Sequence, residues 1–560
     1  MTIDVISLSK GARVEIWARA KMAGTNAIRF EIDGSTVFAV PNMSTNWEYY
    51  EYRHRESGAI TLIWDPDALE VSFAYSYDPA TVNAEGIKLW TFADGTLSRR
   101  QGTELNDFIR ADRTRPQLHF SPAIAWMNDP NGLCKVGDTW HLFYQFHPNG
   151  TDWGPMHWGH ASSRDLFHWT LLPVFLHPTQ NLDRLGATGG AFSGNAFRDL
   201  DGTLSFYYTE RLPAYDLSKG YREVQKRAWP DARLLKAERI TDVLQDRPDG
   251  VFHDFRDPKV WWDAAAGAYR MVLGASLHGD PAVLLYGSSD GQNWSYLGPL
   301  YRAPEKFKSE GARAVECPDF FPLDGKWVLI MGFVGHTEPA TGRHNLLFAL
   351  VGDFVGDLFT PGPLGLQMLD FGTDYYAMQS FEADGRQIAL AWLFNWESRK
   401  PAGSPYSGEM SLPRELSLDG QSRLCMRPAA ELGTAAPALA MVPAADGSFA
   451  PVPAQPFDIT LSGLLDGTLI EATQAGAISF SVEITKGVVS ISLPQDDGKI
   501  QYLANLGGAT DLRIFHDCGI IEVFSANGAV CGTRRNYVNT FPDRVMVETT
   551  ASASGRQRMK

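Results

Sequence analysis

From about residue 117 to residue 428 the sequence reads strand–turn–strand throughout. Within it one turn recurs. Ser162-Ser163-Arg164-Asp165 leads to Trp169, and Ser288-Ser289-Asp290-Gly291 leads to Trp294, each followed by a short apolar stretch and a proline. Four-stranded units repeated at such a period suggest the blades of a propeller. Ser-Asp-Gly turns also recur by chance in β proteins, so two copies alone leave the architecture open.

The flanks are β-rich too. Val14-Glu15-Ile16-Trp17 and Ile28-Arg29-Phe30-Glu31-Ile32 alternate in the way a half-buried strand requires, and Asp33-Gly34 supplies a hairpin turn. Residues 1–105 are expected to form a sandwich-like accessory domain, and the polar stretch 106–116 a linker with one short helix. Residues 429–457 are rich in Ala and Pro, a linker composition. Strand patterns resume at Ala477–Ile484, Val488–Leu493, Leu512–Phe515 and Ile520–Phe524, with a turn at Asn527-Gly528. A C-terminal β-sandwich over 458–550, ending in a frayed tail, is the expectation. With 560 residues, the chain exceeds what one hydrophobic core serves.

A formal net charge of -15 argues against nucleic acid or an anionic membrane as the main partner, because both need basic patches. Aromatic residues make up 12% of the chain; their flat apolar faces with polar edges suit the C–H surfaces of sugars, although large β cores use them as well. Five cysteines with no dense spacing suggest neither a disulfide scaffold nor a zinc site. No basic start with an apolar run opens the chain, and no stretch is long enough to span a bilayer, so a cytoplasmic location is expected.

Three acidic motifs stand out. Trp126-Met127-Asn128-Asp129-Pro130-Asn131-Gly132 is dense turn chemistry, read blandly as a surface turn. Its apolar flanks allow another reading: a buried carboxylate, kept ionised by amides. Phe255-Arg256-Asp257-Pro258 is either a salt bridge at a turn or a carboxylate held ionised by its neighbouring arginine. Val315-Glu316-Cys317-Pro318-Asp319 is either a polar strand end or a Glu among apolar groups, protonated at neutral pH as a general acid must be. Together they supply the parts for retaining glycoside hydrolysis.

These motifs, in this order, resemble glycoside hydrolase family 32, the invertases, inulinases and levanases. The runs LHFSPAIAWMNDPNGLCKVGDTWHLFYQFHPNG and TDWGPMHWGHASSRDLFHWTLLP are very similar to the family's opening segment. Phe192-Ser193-Gly194, Asp370 through Ala377, and Ser411-Leu412-Pro413-Arg414-Glu415-Leu416 follow in family order. The resemblance covers about residues 117–545. It implies an all-β chain whose five-bladed β-propeller (117–428) is followed by a β-sandwich, the N-terminal β domain being additional. It also implies Asp129 as nucleophile, Asp257 as transition-state stabiliser and Glu316 as acid/base. Asn128, Gln145, Trp153, Phe192, Ser193, Arg256, Asp374 and Trp392 fall at positions resembling the fructose pocket; core roles for Trp153 and Trp392 and a strand-bridging role for Gln145 are the bland alternatives. No metal and no cofactor is implied.

The implied activity is hydrolysis of terminal β-fructofuranosyl bonds in sucrose or fructans. A fructosyltransferase, a non-catalytic fructan-binding protein and a phosphorylated substrate are the rivals. A homo-oligomer would form through the N-terminal or C-terminal β domain. Two features depart from the family pattern: the run Pro405-Tyr406-Ser407-Gly408-Glu409-Met410, where the family often has Trp, and residues 1–105, which have no counterpart in a minimal member.

Overall fold

A computed structural model describes the chain except residues 216–219, 345, 394–399, 436–440, 444–448, 452–454, 500–501, 539, 550–557 and 560. The N-terminal domain is two stacked antiparallel sheets. One contains Thr2–Leu8, Gly58–Trp64, Ile28–Ile32 and Ser35–Ala39; the other contains Glu48–Arg53, Arg13–Ala20, Leu69–Tyr77, Lys88–Ala93 and Thr96–Arg100. Their inner faces bury Ile6, Val14, Ile16, Phe30, Leu62 and Trp90. Asp33 and Gly34 both take positive φ, 48° and 76°, as the tight hairpin between Ile28–Ile32 and Ser35–Ala39 demands. The helix Thr103–Arg110 straddles the expected boundary at residue 105.

Five four-stranded antiparallel units follow. They begin at Ala125, Gly190, Val251, Ala314 and Tyr376 and are here called blades I to V. The first strands of the blades, Ala125–Val136, Gly190–Arg198, Val251–Asp263, Ala314–Leu323 and Tyr376–Ala383, touch one another in order, and the fifth touches the first. The five sheets therefore close into a ring around one axis. A clasp reinforces the closure: Tyr406–Ser407, from the loop inside blade V, pairs in parallel with Ala125–Trp126 of blade I. Gly408 follows with φ +93°, and a Cβ there would lie 2.0 Å from the Met127 carbonyl oxygen. The run that departs from the family pattern thus builds the clasp.

The recurrent Ser-Asp turns occupy equivalent places, between the third and fourth strands of blades I and III. In each the aspartate, Asp165 or Asp290, accepts backbone N–H groups two and three residues on and meets the preceding serine hydroxyl. The repeat read from sequence is this local hydrogen-bond pattern.

A seven-stranded and a five-stranded sheet form the C-terminal sandwich, around Phe457, Ile470, Phe480, Val489, Ile514 and Val523. The expected Ala/Pro linker, 429–457, lies partly outside the described residues; the part described holds the helical turn Leu432–Ala435 and the short strands Met441–Pro443 and Phe449–Pro451, which join the seven-stranded sheet. Most of the expected frayed tail also lies outside them; Arg558–Met559 pairs with Leu461–Ser462. No helix among the described residues is long and apolar enough to cross a membrane.

A buried ionic seam joins propeller and sandwich. Arg414 donates to Glu522 at 2.9 Å, to Asp370 at 3.3 Å and to Thr533 Oγ1 at 2.6 Å, and its guanidinium stacks on Tyr375. His119 bridges Asp517 and Glu522; burial opposes its charge, but the two carboxylates prevail and raise it to about 9. Arg535 grips Glu409 through two nitrogens. Removing one member strands the others' charge in the interior, which costs about 3–5 kcal/mol. Arg414→Met is expected to lower stability by about that amount, read as a fall in the midpoint of denaturant unfolding; an unchanged midpoint would show that the seam contributes nothing to cohesion.

Candidate active site

Each first strand carries a register break, between Met127 and Pro130, Ala191 and Gly194, Arg256 and Lys259, Glu316 and Asp319, and Tyr376 and Gln379. A bulge leaves the extra residues unpaired and re-aims their side chains. The residues released are Asn128-Asp129, Phe192-Ser193, Asp257-Pro258, Cys317-Pro318 and Ala377-Met378. Proline has no N–H to give to a ladder, so Pro130, Pro258 and Pro318 suit these positions. Asp257, Cys317 and Ala377 take positive φ, 63°, 47° and 51°, a conformation that side-chain-bearing residues rarely hold without a surrounding structure that imposes it.

The first strands of the five blades converge on one cavity of about 450 Å³, blade V through Tyr376 beside its bulge. Asp129 comes from blade I, Asp257 from blade III and Glu316 from blade IV. The Cys317 sulfur lies 3.5 Å from Asp129 Oδ2 and 3.6 Å from Asp257 Oδ2, so the two aspartates flank a single thiol. Asn128, Gln145, Trp153, Phe192, Ser193, Arg256 and Trp392 also line the cavity. Trp153 and Phe192 meet edge-to-face at 6.1 Å and form an aromatic wall.

Asp374, expected in the pocket, is not on its wall. Its carboxylate is buried at the seam, where it accepts the Arg535 N–H at 2.8 Å and lies 3.5 Å from Arg534 Nε. The run Asp370–Asp374 serves the junction with the sandwich, and only after it does the chain enter the cavity at Tyr376.

Asp129 is held by side chains. Ser193 Oγ donates to it at 2.5 Å and Asn128 Nδ2 at 3.0 Å, while Trp126 Nε1 donates to Asn128 Oδ1 and fixes that amide's orientation. Burial raises the Asp129 carboxyl above its ordinary range and nearby Glu316 adds to this, against the lowering effect of those donors.

Arg256 differs from expectation. Its Nη2 donates to Glu316 Oε1 at 2.8 Å and its Nη1 reaches Asp254 and Glu223, whereas Asp257 Oδ2 is 3.8 Å from Nε. Arg256 still lowers the Asp257 carboxyl, but from a distance that does not prevail. Burial, with Asp129 and Glu316 close by, outweighs Arg256 and the Cys317 N–H and pushes it up to about 7. Glu316 does not sit among apolar groups either. Tyr376 Oη donates to its Oε2 at 2.9 Å while Arg256 takes the other oxygen, and about 26% of its side chain remains exposed to the cavity.

Several site residues had no reading in the sequence. Tyr376 and Cys317 lie inside motifs that assign them no task. Tyr221, Arg211, Glu223 and Asp254 come from other strands of blade II or the entry to blade III, with no linear signature.

The sequence model of the glycosyl hydrolases family 32 N-terminal domain matches residues 119–428. The chain belongs to that family. A sucrose-6-phosphate hydrolase of Zymomonas mobilis is 39% identical over 330 residues, 57% of this chain and 62% of its own length, so this chain spans less than two thirds of that relative. A glycoside hydrolase family 32 structure from Bifidobacterium adolescentis shares the fold with a TM-score of 0.86 at 24% identity, over 100% of this chain and 98% of that one. A family 32 β-fructofuranosidase of Bombyx mori matches with a TM-score of 0.66 at 29% identity, over 79% of this chain and 96% of its own.

The raised Asp257 carboxyl has a consequence for stability. An aspartate in the unfolded chain ionises near 3.9. Between that value and about 7 the folded state holds the extra proton, so stability falls as pH rises through this window. Asp257→Asn removes the cost. It is expected to melt several degrees higher than the wild type at pH 8 and to differ little at about pH 4, by scanning calorimetry. A variant less stable than the wild type at pH 8 would contradict this account.

Proposed function

We propose that the chain is a retaining β-fructofuranosidase acting on sucrose or fructans. The observation that carries this is the convergence of Asp129, Asp257 and Glu316, from three blades, on one cavity with an aromatic wall. A polyhydroxylated ring needs such a combination, with carboxylates for hydroxyl pairs and aromatic rings for its apolar face.

Asp129 is the nucleophile. Ser193 and Asn128 fix its carboxylate, and Oδ2, beside the Cys317 sulfur, faces the region shared with Asp257. Attack on the anomeric carbon forms a fructosyl ester as the bond to the leaving oxygen breaks. Glu316 delivers a proton to that oxygen, then takes one from the water that cleaves the ester; Tyr376 and Arg256 hold its carboxyl through both steps. Asp257, in its ionised form, faces the positive charge that grows on the sugar ring in both transition states.

A second reading of the substrate is favoured by the cavity's mouth. Arg211, Arg313 and His253 line it, and Arg313 is exposed. Such a group of donors suits a phosphate ester, the substrate type in the name of the Zymomonas relative. Comparing kcat/KM for sucrose and sucrose 6-phosphate in wild type and Arg313→Ala separates the two. A preference for the ester that Arg313→Ala abolishes selects the phosphorylated substrate; equal rates in both enzymes select the neutral one.

The mechanism itself is tested at Glu316. Glu316→Ala should cripple hydrolysis of sucrose, because both proton transfers are lost. An activated fructoside, whose leaving group needs no proton, should restore the first step and let a fructosyl-enzyme accumulate on Asp129, visible by intact mass. Azide needs no general base, so it should speed turnover and yield β-fructosyl azide. Near-normal sucrose hydrolysis by Glu316→Ala, or an α product from azide, would overturn the assignment.

A further inference from the structure

A second cavity, of about 430 Å³, opens at the junction of the N-terminal sandwich with the propeller. Trp47 and Tyr49 line it from the accessory domain; Asn149, His177, Asn181 and Asp183 line it from blade I and the segment that leads to blade II. The loop that joins the second and third strands of blade I divides the two cavities. Its Asn149 and Pro155 line this one, and its Trp153 lines the catalytic one. The two cavities therefore stand back to back across one loop.

The accessory domain holds that loop and its neighbour. Ser72 Oγ donates to Asn149 Oδ1 at 2.9 Å. Trp17 Nε1 donates to His157 Nε2 at 3.3 Å, while His157 Nδ1 donates to the Pro155 carbonyl at 3.1 Å. The Trp47 N–H bonds Asp183 Oδ2, and Asn181 Nδ2 bonds the Trp47 carbonyl. Among the described residues these bonds leave Asp183 Oδ1 and the Asn149 amide nitrogen for a ligand. Charge does not select an anion here. Glu48 pairs with Arg184, Asp183 adds a further negative charge, and burial keeps His157 and His177 neutral.

We infer that this junction cavity is a second saccharide site. Arg19 covers one face of the half-buried Trp47 ring, which leaves the other for the C–H side of a sugar; Tyr49, packed against Trp17 and His177, adds to the apolar lining, and Asp183 and Asn149 offer an acceptor and a donor for its hydroxyls. The composition matches that of the catalytic cavity, an aromatic wall facing carboxylate and amide groups, without a carboxylate trio for chemistry. Its occupant is either the far units of a chain whose terminal fructose sits in the catalytic cavity or a separate neutral sugar. The choice of fructose-containing probes rests on the proposed function; the site itself rests on its own lining.

The experiment compares wild type, Trp47→Ala, Trp47→Phe and Asp183→Asn. Hydrolysis of sucrose and of a long inulin-type fructan is measured. Fructose, glucose, sucrose and fructo-oligosaccharides are also titrated calorimetrically into each protein carrying Asp129→Asn. Loss of one aromatic contact of this kind is worth about a fivefold change. If the far units of a chain bind here, Trp47→Ala lowers kcat/KM for the fructan about fivefold and leaves sucrose within about twofold, and Trp47→Phe restores it. If a separate sugar binds, Trp47→Ala and Asp183→Asn each weaken one of two calorimetric binding events, and both hydrolysis rates stay level. The inference is overturned if the binding isotherms and the fructan-to-sucrose ratio are the same in all four proteins. It is equally overturned if Trp47→Ala depresses sucrose and fructan alike, which would mark Trp47 as a mere prop for the Trp153 loop. Should no fructoside be cleaved at all, the calorimetric arm still reads the site, so failure of the function and failure of the inference remain distinct.

Discussion

Closure of the propeller is the constraint on which the rest depends. Five sheets touch through their first strands, and blade V is tied to blade I by the parallel pairing of Tyr406–Ser407 with Ala125–Trp126. Once the ring is shut, five strand segments must crowd around one axis. Residues 129, 193, 257, 316 and 376, far apart in the chain, then have no choice but to share one space. Non-local pairing of this kind is entropically costly to assemble. Its return is a site whose parts come from rigid strands in place of loops. Gly408 shows how tight the closure is, since its clasp tolerates no side chain.

Bulges convert that crowding into chemistry. A regular strand would alternate its side chains between the two faces of a blade and send few to the axis. A break in register at each first strand sets a cavity residue at or beside it: Asn128-Asp129, Phe192-Ser193, Asp257 and Cys317 are released, and Glu316 and Tyr376 stand at the edge of the break. The electrostatic result is a compact group of acids whose mutual repulsion and burial raise Asp129 and Asp257, with Arg256 as the counter-charge shared among Glu316, Glu223 and Asp254. A fold optimised for stability would not put these carboxylates together. The raised carboxyls mean that this grouping costs stability in the folded protein.

How much of this was legible in sequence follows from the range of the forces involved. Local signals were readable: the Asp33-Gly34 hairpin and the Ser-Asp turns of blades I and III. The nature of each carboxylate's surroundings was not. Phe255-Arg256-Asp257 suggests an arginine serving its neighbour, yet a bulge turns the guanidinium toward Glu316. Val315 and Cys317 suggest an apolar niche for Glu316, yet Tyr376, sixty residues on, supplies a hydroxyl. Asp374 sits two residues from a cavity residue and belongs to a different interface. Glu223 and Tyr221 reach the site from the third strand of blade II, a position that no linear pattern marks.

The same distinction separates two kinds of buried charge in this molecule. At the seam, Arg414, Arg535 and His119 are each matched by carboxylates, which leaves the pairs inert and makes the docking of sandwich on propeller specific. At the junction with the accessory domain, Lys236 meets fully buried Glu15, whose other partners are the hydroxyls of Tyr75 and Tyr77, while Tyr75 Oη also receives the Val174 N–H of blade I. A buried pair of this kind adds little net stability over an apolar contact but penalises every misaligned docking, because any slip strands a charge. Propeller, sandwich and accessory domain are thus registered to each other by groups that do no chemistry. In the catalytic cavity the charges are shared instead of paired: Arg256 lies against Glu223, Asp254, Asp257 and Glu316, Arg313 also reaches Asp254, and Arg211 lines the same space. Asp129 is held there by the Ser193 hydroxyl and the Asn128 amide, and domains registered to one another keep such donors in position.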